Sequence, residues 1–415
     1  MSSLRTLVIA EALPYPTFKG GDLRVWQNIN GLTKVGQVGV FGLCSNDQRS
    51  AEVPTGIALW RSSSDPTLAY PLPQGWKLRS RGWPLDPNGH PFDSYYSDDV
   101  ATELRKLMAE FGPQVVVIEG LVLYRYIEPL RRQNCRLVLD SHNVETALHQ
   151  RRAKATLGND LPSRLIRDVL PARTRMIERH ATRAVDQIWV CSDDDARLMR
   201  ELHGSLVPIH VVPNGVDVGS YDAVHASRCS CPETVTKKPL IFPGMFAYWP
   251  NAAAAIFLIE EVFPRLASRY PDCQLLLVGT LPTPRMLQAA KRDPRILVTG
   301  AVPDIRPYLA AASVLVAPLF EGSGTRFKIL EALAANVPVI STGKGAEGLQ
   351  VKNGTHLLMA ESADDFVDAV QRIWTDQRLR KWLTANGRDL VEQYYSWSVG
   401  GRQIRQALHE LGLNG

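Results

Sequence analysis

Short runs of Val, Ile and Leu recur along the chain, each followed by room for a helix. They are "TLVIAEA" (6–12), "VGVFGL" (38–43), "QVVVIEG" (114–120), "RLVLDSH" (136–142), "QIWVCS" (187–192) and "PIHVVPNG" (208–215), then "LIFPGM" (240–245), "CQLLLVG" (273–279), "RILVTG" (295–300), "VLVAPL" (314–319) and "VPVISTG" (337–343). The runs are nearly continuous in apolar residues rather than alternating, the pattern of strands buried on both faces. Alternation of such strands with helices predicts parallel sheets covered by helices on either side. Many runs close on Gly, Ser, Asn or His, which marks the carboxyl edge where open parallel sheets collect ligands.

The series divides once. Residues 216–239, "VDVGSYDAVHASRCSCPETVTKKP", carry neither a helical nor a strand period and read as an inter-domain linker. The expected architecture is therefore α/β: two Rossmann-like doubly wound domains facing a cleft, residues 1–215 and 240–393. A closing helix in 394–415 is expected to pack back on the first domain. Residues 64–97, rich in Pro, Gly and aromatics, form a long irregular insertion of the kind that often carries function. No internal repeat or low-complexity tract occurs.

Composition changes this picture little. The 415 residues are 45% apolar and 21% charged, with a formal net charge of +5. That is ordinary for a soluble globular protein and too weak a charge to argue for nucleic acid. Six cysteines, Cys44, Cys135, Cys191, Cys229, Cys231 and Cys273, lie mostly inside apolar runs and point to a reducing cytoplasm. Only Cys229 and Cys231 stand close together, without a second pair at zinc spacing, so no metal is expected there. No apolar run reaches the ~18 residues of a membrane span. The opening "MSSLRTLVIAEALPYP" reads as a first strand, not a signal peptide.

The candidate chemistry gathers in "EGSGTRFKILEALA" (321–334), after the strand "VLVAPL". Gly322, Ser323 and Gly324 let the backbone approach a ligand, and the free N–H groups of the following helix, from Thr325 onward, make an anion site. Arg326 and Lys328 add two cations, and Arg grips phosphate bidentately. Glu331, about one turn on, is placed to accept hydrogen bonds from a ribose diol. Together these suit a nucleotide diphosphate; the plainer alternative is a helix start with a solvated basic face. Gly20-Gly21, with Arg24 one turn into a helix, is a second candidate loop for a phosphate or sugar. His142, at the end of "RLVLDSH", is placed to donate to a sugar hydroxyl. "SDDDA" (192–196) could be mistaken for a metal-binding Asp-x-Asp, but Ser followed by acids before "ARLMREL" is read as a helix N-cap. "VVPNGVD" (211–217) reads as a hinge turn.

The stretch "PLFEGSGTRFKILEALAANVPVISTGKGAEGL" resembles the nucleotide-binding end of family-four glycosyltransferases, which have the GT-B architecture. "LPYPTFKGGDLRVWQNINGL", "DSHNVET", "IWVCSDDDA", "VVPNGVD" and "FPGMFAYWPNAAAAIFLIEEVFPRL" follow in the family's order, so the resemblance covers most of the chain. The last resembles a G-x-M-x-x-x-P-N subgroup that includes bacterial polysaccharide sugar transferases. The resemblance implies transfer of a sugar, with retention and without a metal, from a nucleotide-diphosphate donor (UDP favoured) to an acceptor hydroxyl. The acceptor could be a saccharide, a lipid-linked glycan, a small molecule or a protein. It implies catalytic roles for His142, Arg326 and Lys328. Donor contacts would come from Gly244, Val302, Gly322, Ser323, Gly324, Thr325 and Glu331, and an acceptor-side loop from Gly20, Gly21 and Arg24. No cofactor is implied.

Two departures stand out. The family's usual motif has two Glu separated by seven residues, and the first falls here at Ser323, with Glu321 two residues earlier. Relatives often carry Arg and Lys after the first strand of the second domain, where this chain reads Met245-Phe246-Ala247-Tyr248-Trp249. The competing expectations are a nucleotide-sugar-binding protein without transfer activity and, behind it, an epimerase or phosphorylase. Basic residues crowd 147–183, with "GWKLRSRGW" (75–83) adding two Trp and three cations, which raises peripheral contact with an anionic membrane face.

Overall fold

The computed structural model describes residues 4–15, 17, 20–44, 53–65, 68, 89–156, 158, 160–204, 207–222, 238–322 and 326–413. Ser323, Gly324, Thr325, Cys229, Cys231, most of the 64–97 insertion and most of the linker lie outside them. The chain forms two units. Unit 1 is Met1–Pro213 with Gly400–Gly415, and unit 2 is Asn214–Val399.

Unit 1 holds seven strands: β1 Leu4–Ala10, β2 Gly36–Gly42, β3 Leu59–Ser62, β4 Val115–Glu119, β5 Arg136–Ser141, β6 Gln187–Val190 and β7 Ile209–Val211. Their order is β3-β2-β1-β4-β5-β6-β7, and every pairing is parallel. Unit 2 repeats the plan with β8 Lys238–Pro243, β9 Cys273–Val278, β10 Ile296–Gly300, β11 Val314–Ala317, β12 Val339–Ser341 and β13 Leu358–Met359, ordered β10-β9-β8-β11-β12-β13. All eleven apolar runs are strands. β3 and β13 are additions, short edge strands whose "LWRS" and "LM" lack a buried run's length.

Why the strands read as continuous apolar runs is visible in β1. Leu7 and Ile9 enter one buried cluster, while Val8 and Ala10 enter the cluster on the other face. β9 does the same in unit 2, with Leu275 and Leu277 on one face and Leu276 and Val278 on the other. The Val8 face is completed by Ile404, Ala407 and Leu408 from the chain's last helix. That helix reaches the helix Gly20–Thr33 at Gly31, where a Cβ would stand 3.3 Å from Gly401 Cα and 2.8 Å from Ile404 Cδ1. Glycine there permits a contact that side chains would hold apart. Ser192 caps the helix Asp193–His203 through Asp195 N–H at 3.1 Å, with Asp193, Asp194 and Asp195 in the first turn, as the sequence indicates. Among the described residues no helix is long and apolar enough to cross a membrane.

The insertion re-enters the described structure at Gly89, and His90 beside it is fully buried. Its Nδ1 accepts from Phe92 N–H at 3.1 Å and its Nε2 meets Thr174 Oγ1 at 3.0 Å, where His149 Nδ1 also arrives at 2.7 Å. Thr174 spends its own proton on Leu170 O, so it accepts from both rings. His90 is therefore neutral by geometry. Burial, then His149 and Arg173, pull its pKa down from 6.5 to about 3; burial and Arg152 take His149 to about 4. Between the ordinary value and these, the unfolded chain binds protons that the folded chain refuses, so stability falls as pH drops below about 6.5. We expect a loss on the order of 1–2 kcal/mol per histidine by pH 5. His149→Gln should flatten the dependence of the urea midpoint between pH 7 and 5; an unchanged slope would refute the assignment.

Candidate functional site

Each sheet has one place where neighbouring strands send their connections in opposite directions, and a crevice opens there above the carboxyl ends. In unit 1 this is β1/β4; in unit 2 it is β8/β11. Of the residues singled out from sequence, Gly20, Gly21 and Arg24 follow β1, Gly244 follows β8, and Gly322, Arg326, Lys328 and Glu331 follow β11; His142 follows β5, next to β4, and Val302 follows the edge strand β10.

In unit 1 the loop after β1 leads into the helix Gly20–Thr33. A Cβ on Gly21 would meet nothing within 4 Å, so the helix start is open. Arg24 is not at that surface. Its side chain turns inward, 1% exposed, and its Nε and Nη2 grip both oxygens of Asp140, with Nε at 2.8 Å, while Nη1 donates to Val212 O at 2.9 Å. The expected loop cation is a buried structural one, because Asp140 at the end of β5 offers it a desolvated carboxylate. Burial opposes the Arg24 charge, but Asp140 outweighs it and holds the guanidinium protonated more firmly than usual.

Asp140 is the strand-register partner of Glu119, which ends β4. Two buried carboxylates side by side need cations. Arg24 is one. His142 is the other, its Nε2 2.9 Å from Glu119 Oε2 and 3.3 Å from Asp140 Oδ2. Asn28 Nδ2 adds a hydrogen bond to Asp140 Oδ2 at 3.0 Å. Burial would raise the Asp140 carboxyl, yet Arg24 and His142 drive it far below the carboxylate range. Burial and then Asp140 push Glu119 up to about 7. Burial would lower His142, but its bonds to Asp140 and Glu119 carry it up to about 9. Glu119, Asp140 and His142 also form the cluster, among the described residues, whose ligand atoms lie close enough to hold a metal ion. Arg24 and the ring proton already answer both carboxylates, so its charges are met by internal ion pairs. Neither acid was singled out from sequence, although both announce themselves as acids closing apolar strands, in "VVVIE" and "RLVLDS".

In unit 2, Gly244 follows β8 and packs so closely on Asn251 that a Cβ would stand 2.9 Å from its Nδ2. Asn251 Nδ2 donates to Met245 O at 3.0 Å and its Oδ1 accepts from Lys328 Nζ at 2.9 Å. Lys328 also lies 4.1 Å over the Phe242 ring. Arg326, 7% exposed, is the N-cap residue of the helix Phe327–Ala334. A Cβ on Gly322, which has φ 105°, would meet its guanidinium at 3.4 Å and Tyr248 Oη at 3.0 Å. Burial, then the Arg326 charge, lowers Lys328 to about 7. Two cations are thus held near each other at a helix start, which suits an anion. Glu331 accepts from Tyr221 Oη at 3.0 Å, and burial lifts it to about 7 against that bond and Lys328. Val302 is half-buried and packs against the cluster containing Leu309 and Leu330. Glu321 is exposed. Asn251 and Tyr221 were missed as site residues; Tyr221 sits in the aperiodic linker, which gives no sign of it.

A family model described as "Glycosyl transferase 4-like domain" matches residues 46–215, and one described as "Glycosyl transferases group 1" matches residues 237–376. This chain belongs to the family-four glycosyltransferases. Its two parallel sheets are those of the GT-B architecture. Among glycosyltransferase relatives, the phosphatidyl-myo-inositol mannosyltransferase of Mycobacterium tuberculosis (strain CDC 1551 / Oshkosh) is 28% identical over 213 residues, 49% of this chain and 54% of that one. The UDP-Gal:alpha-D-GlcNAc-diphosphoundecaprenol alpha-1,3-galactosyltransferase of Escherichia coli is 25% identical over 235 residues, 52% of this chain and 58% of that one. The chain spans little more than half the length of these relatives. Sucrose-phosphate synthase from Thermosynechococcus elongatus superposes with a TM-score of 0.75 over 99% of both chains at 20% identity, a likeness of fold.

Proposed function

We propose that this chain transfers a sugar from a nucleotide-diphosphate donor, with UDP favoured, to an acceptor hydroxyl, retaining anomeric configuration. The observation that carries the reading is the pair Arg326 and Lys328, two desolvated cations at the start of Phe327–Ala334 beside Gly322. Charge that develops on a leaving diphosphate would be met there by fixed cations and helix N–H groups, a role that other transferases give to a metal. Glu331, oriented by Tyr221, would take the ribose hydroxyls, and His142 would face the sugar. Gly20 and Gly21 would line the acceptor side. The galactosyltransferase relative's name supports UDP, and both relatives' names carry lipid-borne acceptors. The alternative, nucleotide-sugar binding without transfer, rests on Ser323 standing where the family has its first Glu.

A thermal-shift screen over UDP-, GDP-, ADP- and TDP-sugars tests the donor, because a ligand of the native state raises its melting temperature by mass action. Nucleotide release with candidate acceptors then separates the readings; binding without turnover would favour the alternative. A peripheral membrane contact on the cytoplasmic face is a further part of the proposal. Leu161 and Met176 are 67% and 63% exposed in helical segments that also carry exposed Arg164, Arg175 and Arg179. Co-sedimentation with anionic but not neutral liposomes is expected, and no binding at low salt would remove the idea.

A further inference from the structure

We infer that Glu119 is a positioning residue which, with Asp140, pins the Nε2–H of His142, so that the ring serves as a fixed cationic donor through an outward Nδ1–H and not as a base. The inference rests on the transferase reading only for what the donor meets, a sugar hydroxyl or a phosphate oxygen.

The geometry requires a proton between Nε2 and the two carboxylates it faces, 2.9 Å from Glu119 and 3.3 Å from Asp140. Carried by the ring, it serves both acceptors; carried by Glu119, which burial and Asp140 push up to about 7, it would serve Nε2 alone and leave Asp140 to Arg24. Asp140 cannot supply that proton, since Arg24 holds both its oxygens. Parallel register sets Glu119 beside Asp140, so removing the ring proton would leave two buried carboxylates facing the single cation Arg24. With the proton in place the four groups are neutral overall. The ring is the one member that reaches the surface, with its side chain 24% exposed against 2% or less for Arg24, Glu119 and Asp140. Its Nδ1 takes part in none of the hydrogen bonds found among the described residues, and so remains for a ligand.

Burial works against the charged ring, and the facing carboxylates Asp140 on β5 and Glu119 on β4 outweigh it. Arg24, the opposing cation, is tied to Asp140, and the ring's charge works against the rise that burial gives Glu145 at the start of the next helix. Cys191, beyond β6, donates its Sγ–H to His142 O at 3.3 Å. A base at this position would have to give up its proton near neutral pH; this ring keeps it to about 9.

The test uses the full chain labelled with 15N-histidine, the His142 ring signals being assigned by their loss in His142→Gln. Wild type is expected to stay doubly protonated through neutral pH, and Glu119→Gln to lower the midpoint by at least about one unit. In the transfer assay Glu119→Gln should then lose roughly fourfold or more in kcat between pH 7 and 8.5, with donor KM unchanged and wild type nearly flat over the range. A wild-type midpoint near the ordinary 6.5, or one that Glu119→Gln does not move, overturns the inference; the wild-type titration decides even if the variant fails to fold. A high midpoint without turnover on any nucleotide sugar would sink the transferase reading and leave the proton where it is placed. Turnover with an ordinary imidazole would do the reverse.

Discussion

Replacing Arg326 and Lys328 together by alanine is expected to abolish nucleotide-diphosphate binding while leaving the empty protein no less stable. Hydrogen bonds to charged groups contribute about 1.5–3 kcal/mol each, so losing two costs on the order of 3–6 kcal/mol, or 100-fold to more than 10,000-fold in affinity. The stability half follows from the same geometry. Burial, and after it the Arg326 charge, pulls Lys328 down to about 7, so holding both cations without an anion is costly. Removing both therefore relieves a strain that the ligand would otherwise relieve. In a thermal-shift experiment the variant should melt no earlier than wild type without nucleotide and show no rise with it. Retained affinity would refute the diphosphate assignment. An earlier melt without ligand would show that the cations stabilise the fold rather than wait for an anion. Because Lys328 titrates near neutrality, donor affinity should also weaken as pH rises through about 7, when the second cation is lost.

Asp140→Ala is expected to be the most destabilising single change in unit 1, at about 3–5 kcal/mol. It strips both carboxylate acceptors from the buried Arg24 guanidinium, leaving it the Val212 carbonyl, and one acceptor from His142. Arg24→Met alone should also be costly, since it leaves Asp140 beside Glu119 with His142 as the remaining cation. The pair of changes should cost less than their sum, the sign of residues acting as one unit. Urea unfolding of the four proteins closes the cycle; simple additivity would mean that the ion pair seen here contributes nothing of its own.

The two parallel sheets were legible because burial on both faces leaves little that is polar in the middle of a strand, and eleven runs show it. β3 and β13 escaped because an edge strand of a few residues needs no such run. The Ser192 cap was legible because capping is local: Ser192 and Asp195 are three residues apart. Arg24 shows the opposite case. Its place one turn into a helix after two glycines suggested a cation for a ligand, but what decides its direction is Asp140, 116 positions away. Sequence spacing carries helix periodicity and loop chemistry; it does not carry which acid a buried cation will find across a sheet. His142 could be picked out at its strand end, whereas its protonation depends on Glu119, brought beside it only by the register of β4 on β5. Tyr221 reaches Glu331 from a segment with no period at all.

The placement of the chain's last helix has a consequence for biosynthesis. Ile404, Ala407 and Leu408 close the Val8 face of unit 1, Gln187 Nε2 donates to Ala407 O inside that face, and His210 meets Glu410. All of these partners leave the ribosome only after the whole of unit 2. The domain that is synthesised first is thus the one that must wait longest to bury its apolar surface, and unit 2, complete within Asn214–Val399, has its full set of residues before unit 1 does. Order of emergence and order of completion run in opposite directions, so that a nascent chain holds an open apolar face, and the buried amide of Gln187 lacks its acceptor, until the final turns arrive.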